Sequence, residues 1–214
     1  MTPSFSDADR QVRALLTAHS CPLPFHQVRA FVMGSIACPG QPMSPQIIVY
    51  ALWGGKMPSF KVPGDAADFF RVFTSQLWHP LTAHQNKKDP FKLIAGTAKP
   101  TMAALGKYVN VRMEEMCSFF DGICGPDDEL EMPRRVDKAM DALSDMAGLL
   151  AGVLALALDK SHIHPKEDIV GLLEQVDQLT EIAEKEINAS IIASVRARNL
   201  ATNKAKLSAS SSNN

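Results

Sequence analysis

The stretch 26–60 constrains the fold more than any other part of the chain. Within it Val28, Phe31, Val32, Ile36 and Ala37 recur at spacings of three and four, which gives a helix with one apolar face. Gly34 sits in that face. A glycine costs about 1 kcal/mol against alanine in a helix, so its place here points to close approach by a neighbour. Cys38-Pro39-Gly40 stops the helix, because proline lacks a donor and glycine accepts positive φ. Ser44 then offers an N-cap and Pro45 a first helical residue, opening a second helix through Ile47, Ile48, Tyr50, Ala51 and Leu52. Trp53-Gly54-Gly55 ends it, and Pro58 and Phe60 belong to an extended segment that folds back on the helices.

The same residues carry a resemblance. AFVMGSIACP followed by SPQIIVYALWGGKMPSF resembles the YecA/YgfB-like family of small bacterial helical proteins. Phe31, Gly34, Pro39, Trp53, Gly54, Gly55, Pro58 and Phe60 fall on matching positions, as do Leu77 and Trp78. Ala30 and Cys38 stand where that family has glycine, and His79 where it has asparagine. The resemblance covers about residues 20–95. It implies an all-helical fold in a family whose biochemical activity is mostly unassigned. Some of those relatives carry a Cys-rich metal-binding tail, a feature this sequence does not have.

At 214 residues the chain is one large or two small domains. Its formal net charge of -1 supplies no global field to gather nucleic acid or an anionic membrane. The four cysteines Cys21, Cys38, Cys117 and Cys124 match no zinc spacing, and each lies in apolar sequence. They read as reduced, buried, small hydrophobes in a cytoplasmic protein. The start, MTPSFSDADR, has acids and no apolar run, unlike a signal peptide.

Taken in order, Ser6 caps a short helix to Ala18 with Val12, Leu15 and Leu16 as its stripe. Gly64-Asp65 opens another to about His84, with Phe69, Phe70, Phe73, Leu77 and Leu81 on one face and Pro80 positioned to kink it. Residues 90–94 suggest a short turn or helix that turns Phe91 and Leu93 inward. A longer helix runs from Pro100 to about Phe120, with Met102, Leu105, Val109, Met113 and Met116 facing in. Its end, FFDGICGP, echoes FVMGSIACP at 31–39, as a repeated helix end or by chance. Seven acids between 113 and 132 (Glu114, Glu115, Asp121, Asp127, Asp128, Glu129 and Glu131) suggest a solvated loop, a docking strip for a basic partner or an acidic metal site, though PDDELE lacks the offsets of a calcium loop.

A helix from Pro133 to Lys160 follows. Its segment 146–158 is uncharged for thirteen residues, too short for a membrane span of about 20, and suggests a helix buried on nearly all sides. Gly148 and Gly152 would admit another helix closely, from this chain or a second copy. After Pro165 a last helix reaches about Ala201, where Ile169, Leu172, Val176, Leu179, Ala183 and Ile187 nearly keep a heptad. Arg196, Arg198, Lys204 and Lys206 then accumulate, and the terminal LSASSSNN is low in apolar content and expected to be disordered.

No phosphate loop, dinucleotide fingerprint, zincin motif or nucleophile elbow is present. His79 and His84 are five apart, a poor pair on one helix; His162 and His164 flank a turn and could share a metal without an implied ligand set. Nothing places a thiol beside a base. Four basic residues without aromatics are a weak nucleic-acid footprint.

These readings converge on an all-α protein. A multi-helix N-terminal module spans 1–130, a long C-terminal antiparallel helical hairpin 131–203, and a disordered tail 204–214. The expected function is a non-enzymatic protein–protein interaction or regulatory adaptor in the cytoplasm. The alternative is a metal-binding protein or enzyme with a site between helices. No catalytic, cofactor or metal residue is nominated. Trp53, Gly54, Gly55 and Phe60 are the expected interaction surface, since glycine lets a partner's backbone approach and tryptophan anchors interfaces. The expected partner is another protein, or a second copy through the hairpin, with no membrane; nucleic-acid association through the basic tail is a third and weaker reading.

Overall fold

The computed structural model describes residues 5–96, 98–125, 131–159, 161 and 164–211. Among these residues the fold is all-helical, with no strand. Helix α1 (Asp7–Ala18) opens with Ser6 and Asp9 in a reciprocal capping box. Helix α2 (Phe25–Ala37) is followed by α3 (Pro45–Leu52), whose first turn is capped by Ser44. Gly54 and Gly55 take positive φ and donate to the carbonyls of Ala51 and Tyr50, closing α3 as the sequence suggests.

Helix α4 (Pro63–Phe73) is capped by Asp65, whose carboxylate accepts from the Lys61 and Val62 amides. It continues without a break through a π turn, Thr74–Trp78, into α5 (His79–Thr82). Pro80 has no amide hydrogen to give to the preceding turn, and the wider π turn sits directly before it. The helix therefore absorbs the proline rather than ending there. Phe69, Phe73, Leu77 and Leu81 are all buried, the face their spacing suggests.

Helix α2 is the centre of the fold. Nine of its thirteen residues are buried, so it is enclosed rather than merely amphipathic. Its main neighbour is α6 (Met102–Cys124). A Cβ on Gly34 would fall inside 3.0 Å of the Phe119 carbonyl oxygen and 2.9 Å from the Ile123 nitrogen. A Cβ on Gly122 would meet the Phe31 carbonyl and the Ser35 nitrogen in the same way. The contact is reciprocal, backbone against backbone. His26 Nε2, near the start of α2, meets Glu114 Oε2, midway along α6, at 2.6 Å, with the 88-residue offset that also relates Gly34 to Gly122. The two helices therefore run parallel. The echo between Phe31-x-x-Gly34 and Phe119-x-x-Gly122 is the sequence trace of this crossing.

Helix α7 (Arg134–Leu158) packs on α6 and on α8 (Lys166–Ser211). Gly106 of α6 faces Ala157 of α7, and Arg135 of α7 pairs with Glu186 of α8 at 2.7 Å. Buried Val136, Ala139, Leu143, Met146 and Leu150 mark the inner face of α7. On α8 the buried residues Ile169, Val176, Ala183, Ile187 and Ile191 keep a near-heptad, with Leu172 and Leu179 half-buried. One core cluster extends from Val12 to Ile191, so the described residues share a single core across the expected boundary at 130. Helix α8 is 46 residues long, about 70 Å at 1.5 Å per residue. It continues through 204–211, where a disordered tail was expected; 212–214 lie outside the described residues.

Candidate functional site

The expected surface at the α3 turn divides in two. Gly54 and Gly55 are exposed. Trp53 and Phe60 are half-buried and belong to an aromatic cluster around Phe69, edge-on to its ring at 5.7 and 5.6 Å. The Trp53 indole N–H donates to the His19 carbonyl at 2.9 Å. Trp53 thus spends both its ring and its polar handle inside the fold. The large apolar side chains that do face solvent here are Ile47, Tyr50 and Met57.

The acids between 113 and 132 do not form one solvated strip. Glu114 lies on α6 and accepts from Asn110 at 2.8 Å besides meeting His26. Burial alone would raise its carboxyl, but hydrogen bonds from His26, Gln27 and Asn110 hold it below the usual range. Glu115 is fully buried, as is Arg112 beside it at 2% exposure. Asp127, Asp128 and Glu129 lie outside the described residues.

Glu115 and Arg112 hold the segment 91–94, which is neither turn nor helix but irregular, with Phe91 and Leu93 buried. Backbone in a buried irregular segment needs partners for its amides and carbonyls, and no strand among the described residues gives them. Side chains from three helices substitute. Asn188 of α8 accepts from the Phe91 amide at 2.7 Å and donates to the Phe91 carbonyl at 2.8 Å. Arg29 of α2 donates to the Lys92 carbonyl at 2.6 Å and stacks over the Phe91 ring. Glu184 of α8 accepts from the Leu93 amide at 3.0 Å and the Lys92 ammonium at 2.6 Å. Glu115 accepts from the Ile94 amide at 2.8 Å, while Arg112 donates to both the Ile94 carbonyl and Glu115.

Desolvation pushes the Glu115 carboxyl up to about 7, against the pull of Arg112, the Ile94 amide and Arg29. A perturbed carboxylate can mark an active site, but this one opens to no solvent and spends one oxygen on the Ile94 amide and the other on Arg112. Its role is structural. The sequence offered one signal for it: Arg112 stands three residues before Glu115, a spacing that brings two side chains together on a helix.

Among the described residues the remaining polar candidates are not brought together. Cys117 is exposed and Cys21 and Cys124 are half-buried free thiols, so only Cys38 matches the expected burial. Burial, then Asp121 and Glu114, raise the Cys117 thiol, opposite to what a nucleophile needs. His84 is held by the Asp89 carbonyl at 3.0 Å and rests edge-on against Phe91. Among the described residues no three His, Cys, Asp or Glu side chains are grouped to hold a metal; His162 lies outside them. Arg198 is not a free cation of a basic tail. It donates to the carbonyls of Ile36 and Cys38 at the end of α2 and to Gln85 at 2.6 Å.

The most unusual surface is on α7. The expectation of a helix buried on nearly all sides is not met: only 17% of its most apolar 18-residue window is buried. Leu149, Leu156 and Leu158 are 61%, 46% and 68% exposed. A Cβ on Gly148 or Gly152 would meet nothing within 4 Å, so no helix among the described residues uses that approach. By length and composition α7 could cross a membrane, but its inner face is committed to the core against α6 and α8.

No protein-family model matches the chain, and neither a curated protein nor a solved structure matches it significantly.

Proposed function

We propose that this protein is a non-enzymatic interaction protein that docks through the outer face of α7, and that the partner is a second copy of the chain. The observation that carries the reading is the exposure of Leu149, Leu156 and Leu158 on a face without charge from 146 to 158. The face is centred on Gly148 and Gly152, which leave it flat, and a flat apolar stripe is complementary to itself. The chain already uses glycine-mediated helix contact where Gly34 and Gly122 bring α2 and α6 together. In this reading α7 and α8 act as a hairpin that presents the docking face, and the helices before it form the supporting module.

Each leucine gains roughly 1–2 kcal/mol on burial. Symmetry doubles the sum, and association costs at least about 4 kcal/mol. The complex is therefore weak, on the order of micromolar to millimolar. Sedimentation velocity from sub-micromolar to hundreds of micromolar is the test. Wild type shifts to dimer with concentration, while Leu149→Glu/Leu156→Glu stays monomeric with unchanged circular dichroism. A wild type that is monomeric throughout sinks self-association. Retention of a different protein from native lysate, lost in the same double variant, would keep the face and replace the occupant.

The resemblance to the YecA/YgfB-like family belongs to the same proposal, supported by the order of Phe31, Gly34, Pro39, Trp53, Gly54 and Gly55. So does cytoplasmic placement, supported by the free thiols of Cys21, Cys117 and Cys124.

A further inference from the structure

A second surface feature runs along α8 and reaches the start of α7. Ala189, Ala193 and Ala197 recur every fourth residue along α8, and their small side chains leave a trough beside Ile192. Pro90 and Pro133 wall it, and the open groove they enclose measures about 600 Å³. Its surface is mainly apolar.

The polar groups at its edge are of one kind. Lys87, Arg135 and Arg196 reach it, and no acid lines it. Arg135 is paired with Glu186 just outside, but Lys87 and Arg196 make no ion pair among the described residues. The two asparagines at the groove are already spent. Asn188 holds the Phe91 backbone, and Asn86 accepts from the Lys88 amide at 2.8 Å and donates to the Ala83 carbonyl. What remains to offer a ligand is an apolar floor and two unpaired cations. A cation left at an apolar rim prefers an anion, and the floor prefers hydrocarbon.

We infer that this groove binds a small amphiphilic anion: an unbranched apolar chain ending in a carboxylate, held by Lys87 and Arg196 with its hydrocarbon along the alanine row of α8. Size favours a small molecule over a peptide helix. The volume lies within the roughly 300–1,000 Å³ range of small-molecule sites. The alanine row covers eight residues of rise, about 12 Å. That is little more than two turns of a docked helix, too short to read an i, i+3, i+4, i+7 pattern of anchors. The inference is independent of α7-mediated association, which uses a different helix face.

The probe is dodecanoate, titrated calorimetrically below its micelle concentration into the full chain. Dodecanol and dodecyltrimethylammonium serve as uncharged and cationic controls. Wild type should bind dodecanoate, bind dodecanol at least tenfold more weakly, and not bind the cation. Affinity should tighten about threefold to fourfold per added methylene from octanoate to dodecanoate. Ala193→Phe fills the trough at a half-buried position and should weaken dodecanoate at least tenfold. Lys87→Glu/Arg196→Glu should remove the preference for dodecanoate over dodecanol. Leu149→Glu/Leu156→Glu should leave binding unchanged, which separates the groove from the apolar α7 face. Equal binding of carboxylate and ammonium would overturn the inference. So would Ala193→Phe binding as wild type with unchanged circular dichroism, or loss of binding in the α7 double variant.

Discussion

Gly34→Ala isolates the contact on which the fold turns. Two opposing effects act at this position. Alanine is the better helix former by about 1 kcal/mol, so on propensity alone the variant would be more stable. Against this, the new Cβ lies inside 3.0 Å of the Phe119 carbonyl oxygen and 2.9 Å from the Ile123 nitrogen. Both are backbone atoms of a helix and cannot rotate away. The axes of α2 and α6 have to part by roughly 1 Å before the carbon reaches ordinary contact distance, and a gap of that size forfeits a quarter to a half of each contact along the interface. Overpacking of a buried site costs about 1–3 kcal/mol, and an immovable neighbour places this case at or above the upper end. The net loss should be about 2 kcal/mol, or roughly 4–8 °C in Tm for a chain of this length. Urea unfolding followed by circular dichroism at 222 nm reads it as a lower midpoint. Gly171→Ala is the control. It sits in α8 with nothing within 4 Å of the new carbon, so it should gain about 0.5–1 kcal/mol. The double variant Gly34→Ala/Gly122→Ala should cost less than the two singles together, because one separation relieves both clashes. A Gly34→Ala midpoint at or above wild type would refute the packing argument.

Three further outcomes follow from the polar contacts. Glu115 has a folded-state value near 7, above the ordinary carboxyl range, so the folded chain binds its proton more tightly than the unfolded chain does. That contribution is fully present below about pH 4.5 and is lost as pH rises through about 7. Relative to Glu115→Gln, wild type should lose roughly 3 kcal/mol of unfolding free energy across that window, and parallel profiles would show that Glu115 does not titrate there. Arg198→Ala removes charged donors from the Ile36 and Cys38 carbonyls and should lower stability by about 2 kcal/mol in thermal melts. Unchanged melting, with a loss of DNA binding instead, would return Arg198 to the basic-tail role. Trp53→Ala should cost about 2 kcal/mol or more and dim the near-ultraviolet circular dichroism, because its ring packs on Phe69 and its N–H serves His19. A fully stable Trp53→Ala variant would mean that the indole is free to serve a partner.

Local punctuation and period determined much of this protein. Ser6, Ser44 and the Gly54-Gly55 pair set helix ends through hydrogen bonds made within a few residues, and such signals read directly from sequence. The buried faces of α4 and α8 followed from spacing for the same reason. Gly34 announced close packing because glycine inside a helix needs a cause. What occupied its space, Gly122 of a helix 88 residues away, was decided only when α2 and α6 met in parallel. The burial of Glu115 was decided there too. It reads as one acid among seven until the strap 91–94 is laid across α6 and its amide needs an acceptor. The clearest divergence is α7. An uncharged run specifies only that its surface avoids water, and the same thirteen residues serve a core or a docking face equally well. Which one they serve depends on how many neighbours the rest of the chain brings to them. Here α6 and α8 cover one side and leave Leu149, Leu156 and Leu158 in solvent.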